Sequence, residues 1–260
     1  LPFDSENKIN RFFKVKSVQD KNSLMLIWQL PNQSKNYSNK SLGILASLLG
    51  DENENSILNK LRNEGLIISL QSGEYDSEDN YCLFSITMDL SNTGMKQIDY
   101  IIQNVYDYIL MLNNLENTDW KRIGGELKAI SQNNFDYQDK YDVADYCTTL
   151  VVNLEKYNVT DVLSGAYLID KIDIGQIKDL LNQLVRDNMM VIYSTQDFKK
   201  EKKSNIKTEE YYGTEYILKE NPIELIISEN ELNIPPKNLY IPKDLILKKI
   251  KNETTLNKIK

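Results

Sequence analysis

The chain of 260 residues contains no histidine at all. That absence removes every mechanism built on imidazole: Ser-His-Asp and Cys-His nucleophiles, histidine-ligated zinc and histidine-based pH sensing. Cysteine is nearly as scarce, with only Cys82 and Cys147. Two thiols cannot build a thiolate-only zinc site, which takes four, and their spacing reads as separate buried thiols rather than a disulfide. Basic charge is in deficit, with 31 Lys and Arg against 38 Asp and Glu. A formal net charge of −7 argues against nucleic acid as a partner, because phosphate neutralisation needs a basic excess. No apolar run approaches the ~20 residues of a membrane span, so no membrane partner is expected. The opening Leu1-Pro2-Phe3-Asp4 lacks the charged and apolar regions of a signal peptide. Beginning on Leu1, the chain reads as a processed or excised piece. The compartment is not fixed by any residue; the cytoplasm is the expectation.

What remains is an ordinary globular composition, 41% hydrophobic and 27% charged, in a chain long enough for a sizeable core. Phe12 to Leu30 reads as strand material, and its second half, Ser23 to Leu30, is apolar enough for a strand covered on both faces. Leu42, Leu45, Leu48 and Leu49 recur at helical spacing and Gly50 sits where a helix stops. A second short helix opens at Asn55 or Ser56 and closes at Gly65. Leu66 to Ser72 reads as a strand, Glu74 to Asp79 as an acidic turn, and Tyr81 to Leu90 as a strongly alternating strand. Beyond Gly94 a stripe from Ile98 to Leu112 marks a helix. A second long helical region begins near Asn117 or Thr118, either a candidate cap, and resumes from Val143 to Leu154. Asp161 to Leu168 reads as a short helix and Ile174 to Leu184 as another, capped by Asp173. A strand follows over Asn188 to Ser194, then the charge run Lys199 to Lys207 and an irregular tail.

Strands followed by packed helices favour an α+β fold, a mainly antiparallel sheet with helices on one face. One domain over residues 1–221 is expected, with residues 222–260 as a C-terminal extension or linker. Candidate chemistry within this frame is sparse. Neighbouring carboxylates such as Glu74 and Asp76 or Glu78 and Asp79 read as a solvated acidic loop rather than an acid–base pair. The triplets Asn36-Tyr37-Ser38 and Asn158-Val159-Thr160 arise by chance in an Asn-rich chain. Gly124-Gly125 has neither the preceding strand nor the following Lys of a phosphate loop, and points to a kink or a close helix crossing.

Three segments add a resemblance. Leu24-Met25-Leu26-Ile27-Trp28-Gln29-Leu30-Pro31 is similar to the strand that opens the second domain of the insulinase-like M16 peptidases. Leu48-Leu49-Gly50-Asp51-Glu52, followed by Asn55 to Gly65, resembles that family's Gly-His-Glu-Gly-x-Gly-Ser-Leu-Leu run. Thr208 to Tyr216 resembles its closing Glu-x-Trp-Tyr-Gly-Thr-x-Tyr element. Their order and separation match across roughly residues 10–245, so the chain is identified as the middle, non-catalytic domain of an M16 metallopeptidase.

The resemblance implies an α+β domain of a four-domain chamber, whose zinc site lies in a first domain absent here. No cofactor is expected in this chain. Gly43, Ala46 and Ser47 align where the catalytic helix of that first domain carries His, Glu and His, and these residues offer no metal ligand set. No catalytic or metal residue is therefore assigned. The resemblance also implies a substrate-anchoring exosite. Gly50 and Glu52 match its turn, while Leu70, Ser72 and Glu74 match its strand edge, along which an extended peptide would add as a strand. Glu52 would meet the peptide's N-terminal ammonium. Asp51 in place of His and Glu74 in place of Gln would make the exosite more acidic. The competing expectation is that Leu66 to Ser72 is an internal strand. The implied partners are a peptide substrate and other M16 domains of the same polypeptide. The segment Asn133 to Lys140, with a single Lys between acidic neighbours, departs from the family's basic polyanion cluster. The alternative function is a structural or assembly subunit that binds no peptide.

Overall fold

The computed structural model describes residues 2–4, 6–198, 201–225, 232–243 and 245. Its strands are β1 (Arg11–Lys16), β2 (Ser23–Leu30), β3 (Ile67–Glu78), β4 (Tyr81–Leu90), β5 (Met189–Thr195), β6 (Lys207–Thr208) and β7 (Glu215–Glu220). Its helices are α1 (Ser41–Leu49), α2 (Ile57–Asn63), α3 (Ile98–Asn113), α4 (Asn117–Asp136), α5 (Val143–Lys156) and α6 (Ile174–Leu181).

The strands form one sheet in the order β3-β4-β2-β5-β1-β7-β6. Only the β1–β5 pair is parallel among the described ladders; the rest are antiparallel. The fold is α+β. Central β2 pairs with β4 on one side and β5 on the other, placing Trp28 opposite both Phe84 and Met189. Leu24, Leu26, Trp28 and Leu30 point to one face and are buried there with Phe84, Ile86 and Met88 of β4 and Val191 of β5. Helices α1, α2, α3, α4 and α6 contribute to the same core. The stripe Ile101, Ile102, Val105, Tyr108 and Leu112 of α3 lies in the same core as Leu45, Leu48 and Leu49 of α1 and Ile177, Leu180 and Leu181 of α6.

Local chemistry sets the element ends. The Asn59 amide donates to Ser56 Oγ at the start of α2, and the Gln176 amide donates to Asp173 Oδ1 at the start of α6. Gly65, with φ of +70°, turns the chain from α2 into β3.

Several elements differ from the reading of the sequence. The apolar stretch from Phe12 to Leu30 is two strands broken at residues 17–22, and β5 lies between them in the sheet. The acidic segment Glu74 to Glu78 is the outer half of β3 rather than a turn. Asp161 to Leu168 contains no α-helix, only a short 3-10 turn ending at Asp161. The residue at the cap position of α4 is Glu116, without a side-chain bond. Helix α4 runs unbroken through Gly124, where an added Cβ would lie 2.8 Å from the Ile172 side chain. The glycine thus permits a close approach rather than a kink. The Arg186 guanidinium donates to the carbonyls of Asn221 and Ile223, which holds these two residues against the body.

Two glycines make opposite predictions. A Cβ on Gly94 would lie 2.0 Å from the Leu66 carbonyl oxygen, whereas one on exposed Gly125 of α4 would meet nothing within 4 Å. Gly94→Ala should lower stability by about 2–3 kcal/mol and Gly125→Ala should raise it by about 0.5–1 kcal/mol, measured by urea unfolding. Equal effects would contradict the packing described.

Candidate functional site

Strand β3 is an edge strand. It has β4 on one side and no strand on the other among the described residues. At 12 residues it is long for an edge, whereas β6 at the opposite edge has two. A long edge leaves a row of backbone donors and acceptors with no ladder partner, the feature that templates an added strand. Register shifts fall at Ile68 and Tyr75, and Glu74, Asp76 and Glu78 charge the outer half, features that oppose indiscriminate pairing between copies.

The inner half of this edge is held by the first two helices. Leu70 is 4% exposed and reaches into the core, so it can offer a partner only its backbone. Ser72 Oγ donates to the Ala46 carbonyl of α1 at 2.6 Å. Gly50 ends α1 with its amide on the same Ala46 oxygen, and an added Cβ there would lie 3.1 Å from Ser72 Oγ. Gly50 and Ser72 therefore form one contact, made possible by the missing side chain. From α2, the Arg62 guanidinium donates to the Ile68 carbonyl at 3.0 Å.

After Gly50 the chain turns through Asp51, whose Oδ1 accepts the Asn53 amide at 2.6 Å. Glu52 stands exposed in this turn. Glu74 is also exposed, further along β3, with its carboxylate 3.6 Å from Cys82 Sγ. Burial, reinforced by the Glu74 charge, pushes the Cys82 thiol up to about 12. Burial and the nearby Asp51 charge likewise raise the Tyr108 hydroxyl, which lies fully buried without a hydrogen-bond partner among the described residues. Nothing in the sequence singled out Tyr108, because its spacing is that of a core residue.

A cavity of about 240 Å³ lies between α1 and the outer part of β3, lined by Tyr37, Lys40, Leu42, Gly43, Ala46 and Glu74 among others. Gly43 and Ala46 present no side-chain donor there, and Ser47 Oγ turns back to the Gly43 carbonyl at 2.9 Å. Lys40 donates to the Gly165 carbonyl, and burial lowers its ammonium pKa. Among the described residues no group of three or more His, Cys, Asp or Glu could hold a metal ion. The helix that would carry a metal motif carries small residues at those positions, with Gly43 and Ser47 exposed.

A family model described as the peptidase M16 inactive domain matches residues 1–122, and another described as the middle or third domain of peptidase M16 matches residues 135–259. The chain belongs to the M16 peptidase family. It is a non-catalytic M16 domain of the insulinase-like peptidases. Nardilysin of Homo sapiens is 31% identical over 260 residues, an alignment covering 95% of this chain and 22% of that protein. Insulin-degrading enzyme of Homo sapiens is 26% identical, covering 98% of this chain and 25% of that protein. The crystal structure of pitrilysin matches with a TM-score of 0.79 at 18% identity, over 93% of this chain and 26% of the other. That last likeness shows the shared fold. This M16 chain thus spans about a quarter of the length of these three relatives. No described helix is long and apolar enough to cross a membrane.

The two thiols of this M16 domain should behave differently. Both are free, Cys82 buried and Cys147 exposed. At pH 8 a chromogenic disulfide should titrate one thiol per native chain promptly and the second only after unfolding. Two prompt thiols would contradict the burial of Cys82.

Proposed function

We propose that this chain holds the N-terminal part of a peptide substrate along β3. It does so as one wall of a chamber that it builds with other M16 domains of the same polypeptide. On this reading hydrolysis belongs to a zinc-bearing first domain of that polypeptide. We further place the folding unit at residues 1–221, with 222–260 leading toward the next domain. Two free cysteines fit a reducing compartment such as the cytoplasm.

The observation that carries the reading is the long open edge of β3 beside the side-chain-free corner at Gly50. An extended peptide would satisfy its own backbone groups on that edge, and the identity of the Ser72 side chain need not decide this, because recognition runs through the backbone. Exposed Glu52, in the turn that leaves α1, offers a charge to an N-terminal ammonium. Glu74, Asp76 and Glu78 give the outer edge the same sign. Without imidazole in the sequence or a metal cluster among the described residues, the domain's own contribution on this reading is to grip and orient, which lowers the entropic cost of reaction elsewhere.

The alternative, a subunit that only braces its neighbours, draws on the exposed apolar residues of α5. The two readings separate on peptide titration. An unblocked peptide of about ten residues, long enough to pair with a 12-residue strand, should bind with a micromolar Kd. N-acetylation of the peptide or Glu52→Lys should each weaken it about fivefold, since an exposed ion pair is worth up to about 1 kcal/mol. Their combination should add little. Absence of saturation, or indifference to both changes, would favour the bracing role. The chain alone should release no product from a fluorogenic peptide with or without added zinc; zinc-dependent turnover would overturn the non-catalytic assignment.

A further inference from the structure

Helix α5 has 14 residues and buries only Asn153. Yet its sequence is amphipathic. Val143, Cys147, Leu150, Val151 and Leu154 recur at three- and four-residue intervals on one side. Val143 is 76% exposed, Val151 61% and Leu154 53%. Tyr146 stacks on Tyr141 with planes 9° apart, and a groove of about 540 Å³ runs between this helix and the end of α4, floored by Phe135, Leu150, Leu163 and Tyr167. Isolated exposed apolar residues are ordinary, but a contiguous apolar helix face beside an aromatic groove marks a surface that something covers.

Two observations say what covers it. The relatives that this chain matches are about four times its length, so most of such a polypeptide lies outside these residues and stays tethered to them. The backbone also returns to this place at Pro242 and Leu245. Pro242 and Leu245 line an adjoining hollow with Tyr137, Gln138, Tyr141 and Tyr167, three of which also line the groove, and Asn133 Nδ2 donates to the Pro242 carbonyl. Any other domain of the same polypeptide is covalently joined to this one, which makes its docking effectively intramolecular, and Pro242 and Leu245 lie beside this face.

We propose that the outer face of α5, with the groove beside it, is the surface on which another M16 domain of the same polypeptide packs. This rests on the proposed function, in which such domains flank the chain. It names the surface, which uses none of the residues of β3.

Cys147 is a native reporter, exposed on the apolar side of α5, while Cys82 is buried. Its maleimide labelling rate, read by mass spectrometry of the peptide that contains it, should be measured in the 260-residue chain and in a longer polypeptide carrying the flanking domains. The rate should fall at least about tenfold in the longer polypeptide, and Val151→Glu there should restore most of it. Val151 is exposed in the chain itself, so this variant should keep its helical circular dichroism. Equal rates, in a long polypeptide that small-angle scattering shows to be compact, would overturn the proposal while leaving the flanking domains in place. Protection that grows with concentration of the 260-residue chain would assign the face to a second copy, and protection by added peptide would assign it to substrate. Either would overturn the proposal too.

Discussion

The structure turns on how a strand with one ladder partner is kept extended. Among the described residues β3 bonds to β4 along one side only, and a strand so held would fray from its free edge. Its inner half is fixed from above instead. Leu70 enters the core, Ser72 Oγ bonds the last turn of α1, and Arg62 of α2 reaches the Ile68 carbonyl. Each of these contacts comes from the helix side of the sheet, so none requires another strand in its plane. The outcome is an ordered edge whose backbone is already in the conformation a pairing peptide needs, and preorganisation of that kind cuts the cost of binding.

The same seam accounts for the absent chemistry. Gly43, Ala46 and Ser47 stand on α1 where the resemblance would put metal ligands and base, and Gly50 follows where α1 meets β3. Gly50 and the Ala46 carbonyl bring the helix end within contact of Ser72, while Gly43 and Ala46 line a cavity and offer no donor set. The approach to β3 is made at Gly50 and the Ala46 carbonyl, whereas Gly43 and Ser47 stand exposed on the other turns of the helix.

Much of the fold was legible because its signals were local. The periods of α1, α3 and α6, the Ser56 and Asp173 caps and the Gly50 and Gly65 stops each lie within one element. The misreadings fall where local pattern carries no information. The outer half of β3 is exposed on both faces, so residues Glu74 to Glu78 show no alternation to separate them from a turn. Nothing within Phe12 to Leu30 shows that β5, far along the chain, inserts between its two halves. β6 and β7 were hidden because neither has a fully buried face. At the candidate site, Gly50 and the strand were legible through resemblance, but the Gly50–Ser72 contact joins two elements and needed the structure. So did the inward turn of Leu70, which leaves backbone as its only offering.

The central claim is that the open edge of β3 is where this M16 domain meets its peptide. Amide hydrogen exchange of the chain with and without saturating peptide tests it most directly. The account predicts slowed exchange in β3, centred on residues 70–76, with β7 and β6 unchanged. Protection confined to the β6 edge, or to α5, with β3 exchanging as in the free chain, would contradict it.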